Sequence, residues 1–303
     1  LLLWVVHPWF LRFTSDARGY SMVLLCMPLL FGIAGRALQT GAWRWWLALA
    51  AVQTFCFWSY FAIFYVLIPF QTGLLWAVIS ASNQNNADRV VQSARWLAAN
   101  LLSALVIIQL MAPLLPQLLD FIRASGSQIA GRVGTEWWQD AAAYVFTGTP
   151  WNEWSSGNPL SICLSERRGI AFGIAIFTCF LFAVLLLTGA LRAARQSQCR
   201  WLILPVLGAP VVFIAHMLLA GIKPYHWYLL LYYPGCLLLA GMALQRMQEA
   251  KPRVLVRAMM LLTAAGFIST TAEKRTALLE HPIEPCRESV ALTRSIMNPR
   301  HPA

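Results

Sequence analysis

Apolar residues run through this chain in blocks close to the length of a bilayer crossing, about 20 residues, separated by short polar stretches. Such blocks fall at 20–38, 96–115, 169–191, 201–220, 227–246 and 254–270. Each reads as a membrane-spanning helix. The stretch 43–80 is apolar almost throughout, too long for one straight crossing and short for two. Ser59 and Tyr60 near its middle suit a turn, which predicts two helices of about 15 and 20 residues. At about 1.5 Å per residue the first reaches only about 22 Å, so it sits in a thinned region or does not fully cross; two crossings are expected. Leu1–Val6 reads as the end of a further span. The first residue is leucine and no signal-peptide pattern follows, so the chain is expected to start inside a longer protein.

The predicted fold is therefore all-α. It is a polytopic transmembrane bundle of about eight spans plus a partial one, with one large outer loop of interfacial helices at 116–168. Residues 1–270 form the membrane domain, and 271–303 an outer tail where a soluble domain would begin. Composition agrees. Of 303 residues, 59% are hydrophobic and 12% charged, against about a quarter charged in a soluble domain. Mean hydropathy is +0.60.

Lys and Arg number 23 against 12 Asp and Glu, a net charge of +11. In a membrane protein this excess reports topology, not nucleic acid. Placing 36–44, 81–95, 192–200 and 246–257 inside collects Arg36, Arg44, Arg89, Arg95, Arg192, Arg195, Arg200, Arg246, Lys251, Arg253 and Arg257. The short outer segments then hold only Arg12, Arg18 and Lys223. The polar run SNQNNADR at 82–89 reads as an inner loop. Segment 7–19, the loop 116–168, the turn 221–226 and the tail from about 271 face outward.

Cys26, Cys56, Cys179 and Cys236 lie in spans, as small apolar residues do. Cys163 and Cys286 both fall outside and are placed to pair if that compartment is oxidising. There is no CxxC, HExxH, Walker or GxGxxG pattern, so no metal motif is present.

Three outer clusters carry polar groups that topology does not need. In the first, HPWFLRFTSDARGY at 7–20, Thr14 or Ser15 can cap the following helix and Asp16 in its first turn suits the helix dipole. Arg18 does not suit it, and calls for an anionic partner. That partner is either Asp16 or the phosphate of a ligand, which a guanidinium fork fits. The second cluster, GIKPYHWY at 221–228, is either an ordinary aromatic belt or a phosphate site built on Lys223 and His226. His216, in the span before it, reads as a helix–helix hydrogen-bonding residue. The third is the loop 116–168. Leu118, Leu119, Phe121 and Ile122 beside Asp120 and Arg123 suit a helix lying in the interface. Farther on, Trp137, Trp138, Trp151 and Trp154 alternate with Glu136, Asp140 and Glu153. Aromatic faces beside carboxylates suit a sugar; the plainer alternative is a Trp-anchored loop resting on the membrane.

The motif HPWFLRFTSDARGYSM, followed by a span ending in GRAL, resembles a feature of the GT-C superfamily of polyprenyl-phosphate-dependent glycosyltransferases. The likeness is nearest to bacterial mannosyltransferase and aminoarabinose-transferase types. Their outer segment reads roughly S-x-[DE]-A-R-x-Y; here Ser15–Tyr20 is S-D-A-R-G-Y, one residue tighter. The turn Lys223–Tyr228, running into LLLYYPGCLLLAG, and the tail around His281–Glu288 also resemble family segments. The resemblance implies inverting transfer of a sugar from a polyprenyl-phosphate carrier to an acceptor on the periplasmic or outer face of a bacterial inner membrane. It implies Arg18 and Lys223 on the donor phosphate, with Asp16, Tyr20, Tyr225, His226 and Tyr228 in support. Trp137, Trp138, Glu136 and Asp140 would meet the acceptor or the sugar. The family's catalytic acid lies on an outer loop that would fall upstream of Leu1. Cofactor use is left open, a divalent cation included. The implied partners are membrane lipid and the polyprenyl-linked sugar. A transporter or lipid flippase, or a non-catalytic assembly subunit, also fits the layout.

Overall fold

The computed structural model describes residues 19–80, 85–117, 119–120, 134, 137, 170–196, 198–220, 226–250, 254, 257–266 and 268. Among them every regular element is helical and there is no strand. Among the described residues four stretches are long and apolar enough to cross a membrane: Ser21–Thr40, Phe61–Ile79, Asn86–Gln117 and Arg200–Ala220.

Helix α1 spans Tyr20–Thr40, with Gly19 as its N-cap and no acidic residue in its first turn. The sequence suggests a start that takes in Asp16 and Arg18; the helix begins after them. A Cβ on Gly19 would lie 1.9 Å from the Ser59 carbonyl oxygen, so the chain enters α1 hard against the end of the next helix, at a residue without a side chain.

At its far end α1 is closed by Gly41, whose φ of +64° and N–H bond to the Ala37 carbonyl at 2.9 Å form a left-handed cap. The two-residue link folds α2 (Trp43–Ser59) back along α1. A Cβ at Gly41 would meet both an unfavourable φ and Gln92 Nε2 at 1.8 Å. Gly41→Ala should therefore lower stability by about 1–2 kcal/mol, read as a lower thermal midpoint in detergent. An unchanged midpoint would rule out this turn.

Helix α2 stops at Ser59, where the sequence suggests a turn. Tyr60 is extended (φ −158°, ψ 104°), and a 3-10 turn, Phe61–Ile63, leads into α3 (Phe64–Ile79). The stretch 43–80 thus divides into helices of 17 and 16 residues. Helix α4 (Asn86–Met111) starts well before its apolar block. Asn85 accepts the Asp88 N–H at 2.8 Å, and Asp88 sits in the first turn, which the dipole favours. The second half of the polar run expected as a loop is therefore helical. Side-chain pairs Trp46–Gln92, Gln53–Asn100 and Thr54–Ser103 rise together along both helices, so α2 and α4 run parallel.

Helix α5 (Ile170–Arg195) and α7 (Tyr233–Ala250) also run parallel. Phe182 faces Tyr233 at 5.6 Å between ring centroids, and an Arg192 guanidinium N–H donates to the Met242 carbonyl at 2.9 Å. Between them lie a 3-10 turn at Arg200–Leu202, a π turn at Leu204–Gly208 and α6 (Ala209–Ala220). Pro205 and Pro210 lack the N–H that a regular ladder needs, which accounts for the widened turn. Gly73 and Gly208 let α3 pack closely on this segment: Cβ atoms there would fall 2.7 Å from the Trp201 carbonyl oxygen and 2.8 Å from Pro69. A further 3-10 stretch, His226–Tyr232, precedes α7, so the block 227–246 is not one uniform helix.

The bundle has two unlike ends. Gly19, Ser59 and Tyr60 meet at one, and Tyr228 packs there against Tyr60. At the other, an Arg95 guanidinium N–H donates to the Gly41 carbonyl and Trp46 Nε1 donates to Gln92 at 3.1 Å. Helix direction brings Arg36, Arg44, Arg89, Arg192, Arg195 and Arg200 toward this Gly41 end. Among the described residues large apolar side chains are exposed, Leu101, Leu105 and Ile108 of α4 among them. Such a surface suits hydrocarbon and not water.

Candidate functional site

The Tyr60 end holds a cluster of aromatic rings around one hydrogen-bonded pair. The phenolic oxygen of Tyr65, on α3, lies 2.5 Å from His216 Nδ1, on α6. Tyr65 is buried at 7% exposure, and its ring meets Phe213 edge to face at 4.9 Å. His216 is exposed, with Phe64 against it at 6.0 Å. Phe213 also meets Tyr228 at 6.1 Å and Trp137 at 6.2 Å. Tyr228 in turn lies 6.0 Å from Tyr60.

Local sequence explains the arrangement. Tyr60 must leave the α2 spiral for α3 to start, so Tyr60, Phe64 and Tyr65 follow the turn at helical spacing. Phe213 and His216 are three apart on α6 and share a face. The 3-10 stretch then turns Tyr228 back onto Phe213.

Each of the three outer clusters read from the sequence reaches this end through one described residue. Gly19 adjoins Ser59 and Tyr60, Tyr228 packs on Tyr60, and Trp137 packs on Phe213. Trp137 is only 2% exposed, so its indole is wall and not open surface. Asp16, Arg18, Lys223, Tyr225, Glu136, Trp138 and Asp140 lie outside the described residues. Tyr20 and His226 have described backbone in helical turns, and their side chains lie outside the described set. Cys163 and Cys286 also lie outside it. His216 bridges two helices, as the sequence suggests. Tyr65 and Phe213 give no sequence signal beyond an aromatic belt, because nothing local links residue 65 to residue 216.

A second polar centre lies midway along α2, α3 and α4. Gln71 Nε2 donates to Gln53 Oε1 at 2.5 Å. Gln71 Oε1 accepts from Trp96 Nε1 at 2.9 Å and from Asn100 Nδ2 at 3.1 Å. Gln53 Nε2 reaches Asn100 Oδ1 at 3.5 Å, and Thr54 bonds Ser103 one turn on at 2.8 Å. Gln53 is 4% exposed. These amides satisfy one another, as polar side chains between membrane helices must. In the sequence they are single polar letters in apolar blocks.

Among the described residues no group of three or more His, Cys, Asp or Glu could hold a metal ion. Burial pushes the Cys199 thiol up, with Arg192 acting in the opposite direction, so this thiol stays protonated and is a poor nucleophile at neutral pH. No family model matches the chain, no curated protein matches it, and no solved structure matches it.

Proposed function

We propose that this chain is the membrane part of a GT-C-type glycosyltransferase. It would move a sugar from a polyprenyl-phosphate carrier to an acceptor at the outer face of a bacterial inner membrane. In this reading it contributes about eight spans and a partial one, each near the ~20 residues that a crossing needs. The Gly41 end, with its arginines, is the cytoplasmic side. The observation that carries the reading is convergence. Three segments far apart in sequence, each bearing polar chemistry that topology does not need, approach one end of the bundle through Gly19, Trp137 and Tyr228.

Transfer of this kind needs a carboxylate to take the proton of the acceptor hydroxyl and cations to stabilise charge as it develops on the leaving phosphate. Arg18 and Lys223 fill the second role, with Asp16 orienting Arg18. Tyr20, Tyr225, His226 and Tyr228 shape the pocket. Trp138, Glu136 and Asp140 meet the acceptor or the sugar, with Trp137 as their anchor. In the full-length protein, Arg18→Gln or Lys223→Gln should slow transfer from a labelled polyprenyl-phosphate sugar about 100-fold, with the melting temperature unchanged. Normal transfer by both variants would sink the assignment.

A transporter or flippase is the second reading, and one observation favours it. The Gln53–Gln71–Asn100 amides lie at the depth where transporters hold their substrates. Because those amides are bonded to each other, they rank second. Loss of lipid flipping in Gln71→Met, with sugar transfer absent in the parent, would reverse the order.

A further inference from the structure

Helix α6 reads APVVFIAHMLLA, and its one polar side chain is His216. Val211, Leu218 and Leu219 on the same helix are exposed, Leu219 at 88%. An exposed imidazole among such residues would face hydrocarbon, which is costly unless both ring nitrogens find partners. Tyr65 serves Nδ1. Among the described residues no hydrogen bond reaches Nε2.

We propose that His216 Nε2–H binds a phosphate oxygen of the lipid-linked substrate, and that Tyr65 is its positioning residue. The proposal rests on the reading above, that the substrate hangs on a polyprenyl phosphate. Three observations carry it. The first is the division of burial within the pair: Tyr65 is enclosed and His216 is open, so only the imidazole is within a ligand's reach. The second is the chemistry of the bond. When the phenol donates to Nδ1, the ring proton belongs on Nε2, which makes the open nitrogen a donor in search of an acceptor. An oxyanion is the strongest acceptor available to it.

The third observation is depth. Met217–Ala220 follow His216 in the described part of α6, about 6 Å of helix, and Phe64 and Tyr65, which meet the imidazole, sit in the first turn of α3 at the Tyr60 end of the bundle. With the Tyr60 end at a membrane surface, the imidazole lies near the level of lipid phosphates, while Val211 deeper on α6 and the neighbouring Leu218 and Leu219 offer an apolar surface to a prenyl chain. A soluble phosphate would have no use for that surface. Phe64 lies edge to face against the imidazole at 6.0 Å between centroids.

The test uses the full-length protein in lipid nanodiscs, with polyprenyl monophosphate, polyprenol and glycerol phosphate as probes. Polyprenyl monophosphate should bind, and the other two should bind far more weakly. His216→Leu should weaken binding about tenfold or more, and His216→Gln, which keeps an N–H donor, should restore part of it. Tyr65→Phe should weaken binding severalfold and erase the preference for the Nε2–H tautomer in 15N spectra. A 31P–15N dipolar contact between ligand phosphate and His216 Nε2 in the unaltered protein tests the same claim without any substitution.

Full-strength binding by His216→Leu, or no 31P–15N contact in a complex that forms, overturns the proposal and leaves the transferase reading in place. Equal binding of glycerol phosphate overturns the lipid-linked source. An Nδ1–H tautomer in the unaltered protein overturns the role of Tyr65. Failure of the unaltered protein to bind polyprenyl monophosphate removes the transferase reading and this proposal with it.

Discussion

Gly189→Ala should cost roughly 2–3 kcal/mol of stability, and Gly189→Leu should leave no folded protein. A Cβ at this position would lie 1.8 Å from the Leu239 carbonyl oxygen and 2.4 Å from its carbon. Both are backbone atoms of α7, so no rotamer change relieves the contact; the helices themselves must part. Around it the interface is built for closeness. Phe182, Leu185, Gly189 and Ala193 form the buried stripe of α5, facing Cys236, Ala240 and Ala243 on α7. Small residues four apart let membrane helices approach until backbone meets backbone, which is where their packing energy comes from. Parting the helices would also stretch the bond from Arg192 to the Met242 carbonyl. Gly32→Ala is the control, since a Cβ there meets nothing within 4 Å, and it should be neutral or stabilising by about 0.5–1 kcal/mol. Equilibrium unfolding in mixed micelles compares the two. Equal stability for Gly189→Ala and Gly32→Ala would show that α5 and α7 do not touch in this way.

The second large effect is expected at the amide centre. Gln71→Met keeps the side chain's length and shape but removes the hub that Gln53, Trp96 and Asn100 share. Interhelical hydrogen bonds in membranes average about 0.6 kcal/mol and reach about 1.7. Losing three together should cost about 2–3 kcal/mol, because the partners stay buried where water cannot replace the bond. Asn100→Leu alone should also destabilise. Made together, the two should cost at least 0.5 kcal/mol less than the sum of their separate effects, since they break some of the same contacts. Additive losses in the cycle would mean that the amides act as independent pairs.

These two sites differ in how far the sequence announces them. Gly189 is one of many small residues in apolar blocks, and Gly32, Gly35 and Gly241 look no different on paper. Only the path of α7 makes the first indispensable and leaves the others with space for a Cβ. The turn at Ser59–Tyr60, by contrast, is legible because two polar letters interrupt a long apolar run. The start of α4 was harder to read: hydropathy marks where a helix enters lipid, whereas Asn85 and Asp88 mark where it begins. The start of α1 misled for a related reason. Asp16 and Ser15 carry good capping chemistry, but the described helix begins at Tyr20 with Gly19 as its N-cap, where the chain passes close to the Ser59 carbonyl.

Block length and composition are enough to indicate a helical chain with stretches long and apolar enough to cross a bilayer, because hydrocarbon leaves a spanning backbone few other forms. The placing of arginines is enough to group the loops into two sides, and the helix directions agree with that grouping. Neither could reveal which helices touch. That depends on where backbones can come close, at Gly19, Gly73, Gly189 and Gly208, and on polar side chains finding each other across the bundle. Tyr65 meets His216 across 151 residues of chain, and their hydrogen bond exists only because α3 and α6 pack side by side.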